Sequence, residues 1–233
     1  MDAVPGYVSV VFLVTTFAAV WFLLQAAKAV GLQTFPSKIL LFLLPLWIIF
    51  QCVLSIGGFY QKTDSLPPRL FLFGVLPSLV LIISFFLFFR ASFIERLPLK
   101  LITLLHVVRI PVEMVLYWLF IGSQVPRAMT FAGWNYDIAS GILALLVYEI
   151  AFRGNAVNKS VLVGFNLLGL LLLVNIVSIA VLSLPSPIQQ LAFDQPNRAV
   201  LTFPYALLPT IVVPIVLFAH LAALWKLSRD MRN

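Results

Sequence analysis

Residues 70–89, LFLFGVLPSLVLIISFFLFF, form a nearly unbroken apolar stretch without a single charged side chain. A helix needs about 20 predominantly apolar residues to span the hydrocarbon core of a bilayer. This stretch therefore predicts a transmembrane helix, and the same criterion identifies six further runs. The seven predicted spans cover residues 7–27, 39–59, 70–89, 101–121, 131–152, 161–182 and 204–227.

The composition excludes a soluble fold. Hydrophobic residues make up 62% of the 233 residues and charged residues only 10%, whereas soluble domains carry about 25% charged residues. A chain of this size cannot hide so much apolar surface from water, because surface area grows almost as fast as mass. We therefore expect an all-α membrane protein, a seven-transmembrane helix bundle that occupies residues 1–233 as one domain and has the lipid bilayer as its partner.

The basic residues predict the orientation of this bundle. Ten of them lie on one side of the predicted spans: Lys28, Lys38, Arg90, Arg96, Lys100, Arg153, Lys159, Lys226, Arg229 and Arg232. The other side carries Lys62, Arg69, Arg127 and Arg198. Because cytoplasmic connections are enriched in Lys and Arg, this bias predicts a cytoplasmic C-terminus and, with seven spans, an N-terminus outside. These connections account for the net charge of +7, so nucleic-acid binding is not expected.

The fourth predicted span carries the most polar side chains. His106, Arg109, Glu113 and Tyr117 follow one another at intervals of three, four and four residues, which places them on one face of a helix. Ionisable groups inside a membrane are costly, usually face the bundle interior and often mark a functional site. Arg109 and Glu113 are one turn apart and are expected to neutralise each other, in a role that is either structural or functional.

The fifth and sixth spans add polar residues at a similar depth. At about 1.5 Å per residue, Glu113, Asp137 and Asn175 lie at one level in the outer half of the bilayer. We infer an outward-facing polar pocket with Arg109 at its floor. In the alternative interpretation, Asp137 caps or orients a helix and Asn135 forms local hydrogen bonds. The predicted ligand-binding residues are Arg109, Glu113, Tyr117, Asn135, Asp137 and Asn175.

A second polar group is expected nearer the cytoplasm. His106 and His220 lie at similar distances from the cytoplasmic ends of their spans, so the two rings are expected to meet, with Asn166 and Glu149 in the same set. Hydrogen bonding between helices is the favoured role of the two histidines, and metal ligation is the minor alternative. No metal and no cofactor is predicted. The single cysteine, Cys52, lies in an apolar run, where it is expected to act as a small buried hydrophobe.

Several motifs in the second half of the chain resemble those of one group of proteins. They are Arg109-x-x-x-Glu113, Pro126-x-x-Met129-Thr130-Phe131-x-Gly133-x-Asn135-x-Asp137-Ile138, Phe193-x-x-Pro196-Asn197, and Leu208-Pro209 to Pro214 followed by His220. In this pattern the chain resembles an uncharacterised family of small bacterial seven-transmembrane integral membrane proteins. The resemblance implies a location in the bacterial cytoplasmic (inner) membrane, and it implies no activity.

Three classes of function fit these residues. The favoured one is binding or transport of a small polar solute or ion in the outward-facing pocket. The first alternative is a membrane-embedded enzyme that acts on a lipid or isoprenoid, with Glu113 and Asp137 as acid–base groups and Arg109 as an anion contact. The second is a sensor or accessory subunit of another membrane protein, whose identity the residues do not indicate. Whether the chain is an enzyme stays open at this point.

Overall fold

The computed structural model describes residues 4–154 and 156–230, without the side chain of Asp230. Within these ranges there is no β-strand, which confirms the all-α prediction. The basic residue Arg232 lies outside the described residues. The α-helices are α1 (Gly6–Val30), α2 (Phe35–Ile56), α3 (Leu76–Phe88), α4 (Leu99–Leu104), α5 (Arg109–Ile121), α6 (Asp137–Phe152), α7 (Lys159–Leu182) and α8 (Val213–Asp230).

Six continuous helices in the described ranges are long and apolar enough to cross a membrane. They are Gly6–Val30, Phe35–Ile56, Phe71–Phe88, Leu99–Ile121, Lys159–Leu182 and Leu208–Arg229. These helices coincide with the first four, the sixth and the seventh predicted spans. The chain therefore has the architecture of an integral membrane protein.

The fifth predicted span differs from the others. Its helix, α6, begins at Asp137 rather than at residue 131 and contains 16 residues, a length of about 24 Å at 1.5 Å per residue. Residues 131–136 form turns and loop instead. Here the Asn135 Oδ1 atom accepts the Asp137 N–H at 3.0 Å, and such local bonds compete with helix formation. Gly133 also packs on the preceding turn, where an added Cβ atom would lie 2.8 Å from the Ala128 Cα atom.

The connections between helices gather at two ends of the bundle. At one end, which we term the long-loop end, residues 183–207 contact the connection that follows α5. The Arg198 N–H donates to the Gln124 carbonyl at 2.9 Å. Tyr60, from the connection after α2, packs with Leu184 in the same region. Three connections therefore lie together at this end.

The opposite end contains the connections after α1, α3 and α6 and the last turns of α8. The Glu95 carboxylate accepts hydrogen bonds from Trp225 Nε1 at 3.2 Å and from Arg229 Nε at 3.3 Å. The Lys100 ammonium, at the start of α4, lies 5.7 Å from the ring centroid of Phe152, the last residue of α6. α6 begins in the interior of the bundle, where Asp137 pairs with Arg109, and it finishes at this end.

The two helices that carry Arg109, Glu113 and His220 lie at the centre of the bundle. In the 18-residue apolar stretch of each helix, 50% of the residues of Leu99–Ile121 and 56% of those of Leu208–Arg229 are buried. The buried share is only 22% in Phe35–Ile56 and in Phe71–Phe88. The peripheral helices expose large apolar side chains such as Phe42. The costly polar groups are therefore kept away from the lipid-facing surface.

Two π-helical segments, Phe71–Val75 and Leu208–Val212, interrupt the spans that end in α3 and α8. Proline removes the hydrogen bond to the carbonyl four residues earlier and clashes with it. Pro77 frees the Phe73 carbonyl in this way, and the Gln51 side chain of α2 donates to that carbonyl at 2.9 Å. The backbone irregularity of the third span is thus satisfied by a neighbouring helix, as an apolar environment requires.

The second irregularity follows the same rule. Pro214 frees the Thr210 carbonyl, which accepts a hydrogen bond from Trp47 Nε1 at 3.1 Å. The Ser78 hydroxyl lies at the same distance from it. The two π-helical segments also pack against each other, so α2, α3 and α8 are joined around two freed carbonyl groups.

Candidate functional site

Arg109 is the centre of a buried polar cluster where α5, α6, α7 and α8 meet. It is the first residue of α5, directly after a 3₁₀ turn at Leu105–Val108, and is 2% exposed. Its guanidinium forms a bidentate ion pair with Asp137, the first residue of α6. Nε donates to Oδ2 at 2.6 Å, and Nη2 donates to Oδ1. Paired hydrogen bonds between charged groups of this type are among the strongest in proteins.

This ion pair differs from the one expected from the sequence, which joined Arg109 to Glu113. Gly141 of α6 packs directly against Ile110 and the Arg109 Cβ atom, so Arg109 faces the first turn of α6. It meets Asp137 there, at the N-terminus of α6, where a carboxylate is also favoured by the helix dipole. Glu113 lies one turn further towards the long-loop end and has a different partner.

All five N–H groups of Arg109 have acceptors. Besides the two bonds to Asp137, Nη1 donates to Ser140 Oγ at 2.7 Å and to His220 Nε2 at 2.9 Å, and Nη2 donates to the Gly169 carbonyl at 3.2 Å. A guanidinium has five donors in a fixed geometry, so none remains for a ligand. Arg109 therefore joins α6, α7 and α8 to α5, and the anion contact assigned to it in the enzymatic alternative stays a prediction.

The hydrogen bonds also define the tautomer of His220. Arginine only donates, so His220 Nε2 must accept from Arg109. The proton of the neutral ring then resides on Nδ1, which donates to Asn166 Oδ1 at 2.8 Å. The Asn166 amide nitrogen donates in turn to the Leu162 carbonyl at 2.7 Å. His220 is thus a neutral link between Arg109 and α7.

His106 lies face to face with His220. The two ring centroids are 3.7 Å apart and the planes differ by 16°, so the two histidines meet as expected. Both His106 nitrogens are buried without a hydrogen-bond partner among the described residues. Within those residues no group of three or more His, Cys, Asp or Glu side chains is placed to hold a metal ion. The fourth residue expected in this group, Glu149, lies on the exposed surface of α6.

Glu113 is held from the other side of the cluster by Asn135. The Asn135 amide nitrogen donates to Glu113 Oε1 at 2.6 Å and to the Met129 carbonyl at 2.9 Å, and its oxygen accepts the Asp137 N–H. The second carboxyl oxygen of Glu113, Oε2, is buried and has no partner in the described residues. One asparagine therefore binds the Glu113 carboxylate and the first backbone N–H of α6.

Glu113 and Asp137 line a cavity of about 520 Å³ that extends towards the long-loop end. Its wall comes from α3, α5, α7, the two π-helical segments and connections at the long-loop end. Among its lining residues three have polar side chains, namely Glu113, Asp137 and Asn197. The polar pocket predicted from the sequence is therefore a largely apolar cavity with a polar inner end. The reason is that most of the predicted polar side chains form hydrogen bonds with neighbouring segments instead of facing the cavity.

Of the six predicted ligand-binding residues, Glu113 and Asp137 line this cavity, and the other four do not: Arg109, Tyr117, Asn135 and Asn175. Tyr117 stacks on Phe131, with ring centroids 4.8 Å apart. Asn175 donates to the Trp134 carbonyl at 2.8 Å. Both contacts hold the turn before α6 against its neighbours, so a ligand-binding role for these two residues stays a prediction.

Two contributors to the site were missed in the sequence reasoning. Asn197 stands in the motif Phe193-x-x-Pro196-Asn197, but nothing in its neighbours indicates that the long loop brings it to the cavity. Its Oδ1 atom is buried without a partner in the described part of the chain. Gly169 contributes a backbone carbonyl to Arg109. A backbone acceptor has no side-chain signal in the sequence, although a glycine within an apolar span is a hint of close helix contact.

A family model described as "Domain of unknown function (DUF8737)" matches residues 67–228, which is more than half of the chain. The chain belongs to this family. The matched region contains α3 to α8 almost completely, and with them the whole polar cluster. No curated protein and no solved structure matches the chain. The family description carries no activity, so the function has to be argued from the site itself.

Proposed function

We propose that this protein crosses the bacterial cytoplasmic membrane seven times, with the long-loop end outside. α6 supports a seventh crossing, because its length of about 24 Å is extended towards the long-loop end by the turns at residues 131–136. The excess of basic residues in the connections at the opposite end supports a cytoplasmic location for that end.

Cysteine labelling tests this topology. In a Cys52→Ser background, Ser92→Cys, Ala156→Cys and Gln190→Cys each place a thiol at an exposed position in a connection. We expect a membrane-impermeant maleimide added to intact cells to label Gln190→Cys, and to label the other two variants only after lysis. If α6 does not cross, Ser92→Cys and Ala156→Cys will be labelled from opposite sides.

We further propose that the cavity beside Glu113 binds a small molecule. The observation that carries this proposal is Glu113 Oε2, a carboxyl oxygen that is buried, lacks a partner in the described chain and belongs to a residue that lines a large cavity. A buried polar atom without a partner costs about 1–3 kcal/mol, so a ligand group that donates to it would recover this energy. A volume of about 520 Å³ lies within the usual range for ligand pockets.

The cavity wall supports a ligand with an apolar body more than the small polar solute or ion expected from the sequence. Most lining side chains are Leu, Val, Ile, Phe or Pro, and they offer no hydrogen bonds to a polar solute. Asp137 is also engaged, because both of its oxygens accept from Arg109. This saturation argues against the enzymatic alternative, in which Asp137 would serve as a free acid or base.

Transport of the ligand is a natural extension of binding. Both π-helical segments contribute to the cavity wall, through Phe71 and Val75 on one side and Leu208 and Pro209 on the other. Such segments, with their irregular backbone hydrogen bonds, occur frequently at functional sites. A relative movement of α3 and α8 at these points would open the cavity without disturbing the Arg109 cluster.

Ligand screening of the purified protein tests the binding proposal. We expect at least one compound in a thermal-shift screen to stabilise the wild type, and Glu113→Gln to weaken its binding at least tenfold because the carboxylate is lost while the shape is kept. Glu149→Gln is the matched control, since Glu149 is exposed on α6. Equal binding by wild type and Glu113→Gln would contradict the proposal. Flux of the same compound into proteoliposomes then tests transport.

A further inference from the structure

The polar groups of the cavity wall that lack partners are hydrogen-bond acceptors. Glu113 Oε2 and Asn197 Oδ1 are both buried without a partner in the described residues. The Asn197 amide nitrogen is engaged, because it donates to the Ala180 carbonyl at 3.2 Å. The guanidinium of Arg109, which binds the lining residue Asp137, has no donor left. A ligand with a head group that donates hydrogen bonds therefore fits this wall, and an anionic head group does not.

Glu113 also makes no direct ion pair, because the guanidinium of Arg109, which acts on it electrostatically, is bonded to Asp137. In the described part of the chain the ion pairs are Arg109 with Asp137 and Arg229 with Glu95. Within a membrane, a carboxylate without a counter-charge is costly, and a buried carboxylate is stabilised when a cation with good hydrogen-bond geometry pairs with it. A protonated amine supplies both the charge and several N–H donors.

The exposed part of the cavity lining, which we term its rim, is apolar. Leu66 and Phe71, before α3, are 69% and 41% exposed, and Val177 and Val181 of α7 are 36% and 43% exposed. All four line the cavity, and all four are apolar. An opening with such a rim is suited to a molecule that is dissolved in the bilayer and enters from the side.

We propose that the ligand is an amphiphilic amine, which enters the cavity from the bilayer between the start of α3 and α7 and places its ammonium group against Glu113. This inference rests on the proposed function and specifies its ligand class. The apolar chain of the amine lies against the aliphatic wall, and Asn197 Oδ1 provides a second acceptor towards the long-loop end.

Three probes of equal chain length test the ligand class: decylamine, decanol and decanoate. Each is titrated against the full-length protein in lipid nanodiscs, with binding followed by displacement of a fluorescent alkylamine. We expect decylamine to bind at least tenfold more tightly than decanol, and decanoate not to compete. Glu113→Gln should abolish the preference for the amine, whereas Glu149→Gln should keep it.

The outcomes separate the two proposals. Binding of decanol or decanoate that depends on Glu113 and equals that of decylamine would overturn the amine assignment and leave the proposed binding function intact. Failure of every probe and of the wider thermal-shift screen would overturn both. Val181→Trp tests the entry route: it should slow amine association severalfold without changing the thermal stability. An unchanged association rate in this variant would overturn lateral entry.

Discussion

Replacing Arg109 by methionine is expected to lower the free energy of unfolding by about 3–5 kcal/mol, the cost of removing one partner of a buried ion pair. The substitution keeps an apolar stem of similar length but leaves the Asp137 carboxylate uncompensated. It also removes the donors to Ser140, His220 and the Gly169 carbonyl. Denaturant titration of the purified protein in detergent, followed by tryptophan fluorescence, measures the change.

Two further variants make this prediction specific to the pair. Arg153→Met removes an exposed arginine and should change stability by less than about 0.5 kcal/mol. The double variant Arg109→Met with Asp137→Leu should recover part of the loss, because replacing both partners of a buried pair by apolar residues is often nearly neutral. A double variant that is less stable than Arg109→Met alone would show that the pair is not the main contributor.

Gly169→Ala is expected to be the second most damaging change, with a loss of about 2–4 kcal/mol from overpacking and broken hydrogen bonds. The added Cβ atom would lie 2.6 Å from His220 Nε2 and 3.1 Å from Ser140 Oγ. His220 cannot retreat easily, since its ring is stacked on His106 and bonded to Asn166. The same denaturant titration measures this loss.

The chain offers a matched control in the same helix. Gly164 also belongs to α7, and a Cβ atom added there would meet no atom within 4 Å. Because alanine is favoured over glycine in a helix by about 1 kcal/mol, Gly164→Ala should leave stability unchanged or raise it. If Gly164→Ala and Gly169→Ala behave alike, close approach to His220 is not what requires glycine.

The residues that hold the helices together differ from the residue proposed to bind the ligand. Arg109, His220 and Gly169 hold α6, α7 and α8 together, whereas Glu113 lines the cavity and has one carboxyl oxygen without a partner in the described ranges. Variants of the first group should therefore unfold more easily. Glu113→Gln should alter ligand binding with little loss of stability, since Asn135 can still donate to the amide oxygen at that position.

The sequence alone determined the helical class, six of the spans and the polar character of the fourth span. These features depend on local physics, because a run of about 20 apolar residues has only one stable structure in lipid. The spacing of His106, Arg109 and Glu113 likewise places them on one inward face, because helical periodicity is a local property of the chain. The meeting of His106 with His220 followed from their similar depth in two central helices.

The tertiary structure decided which polar groups pair and which stay free. Arg109 pairs with Asp137 rather than with Glu113 because the first turn of α6 packs against the start of α5, and the spacing of residues in the sequence does not contain this contact. The late start of α6 depends on an Asn135 side chain that bonds to both Glu113 and Asp137. The cavity and the free oxygens of Glu113 and Asn197 arise only from the packing of distant segments, because an unpartnered atom is defined by neighbours that the chain brings there when it folds.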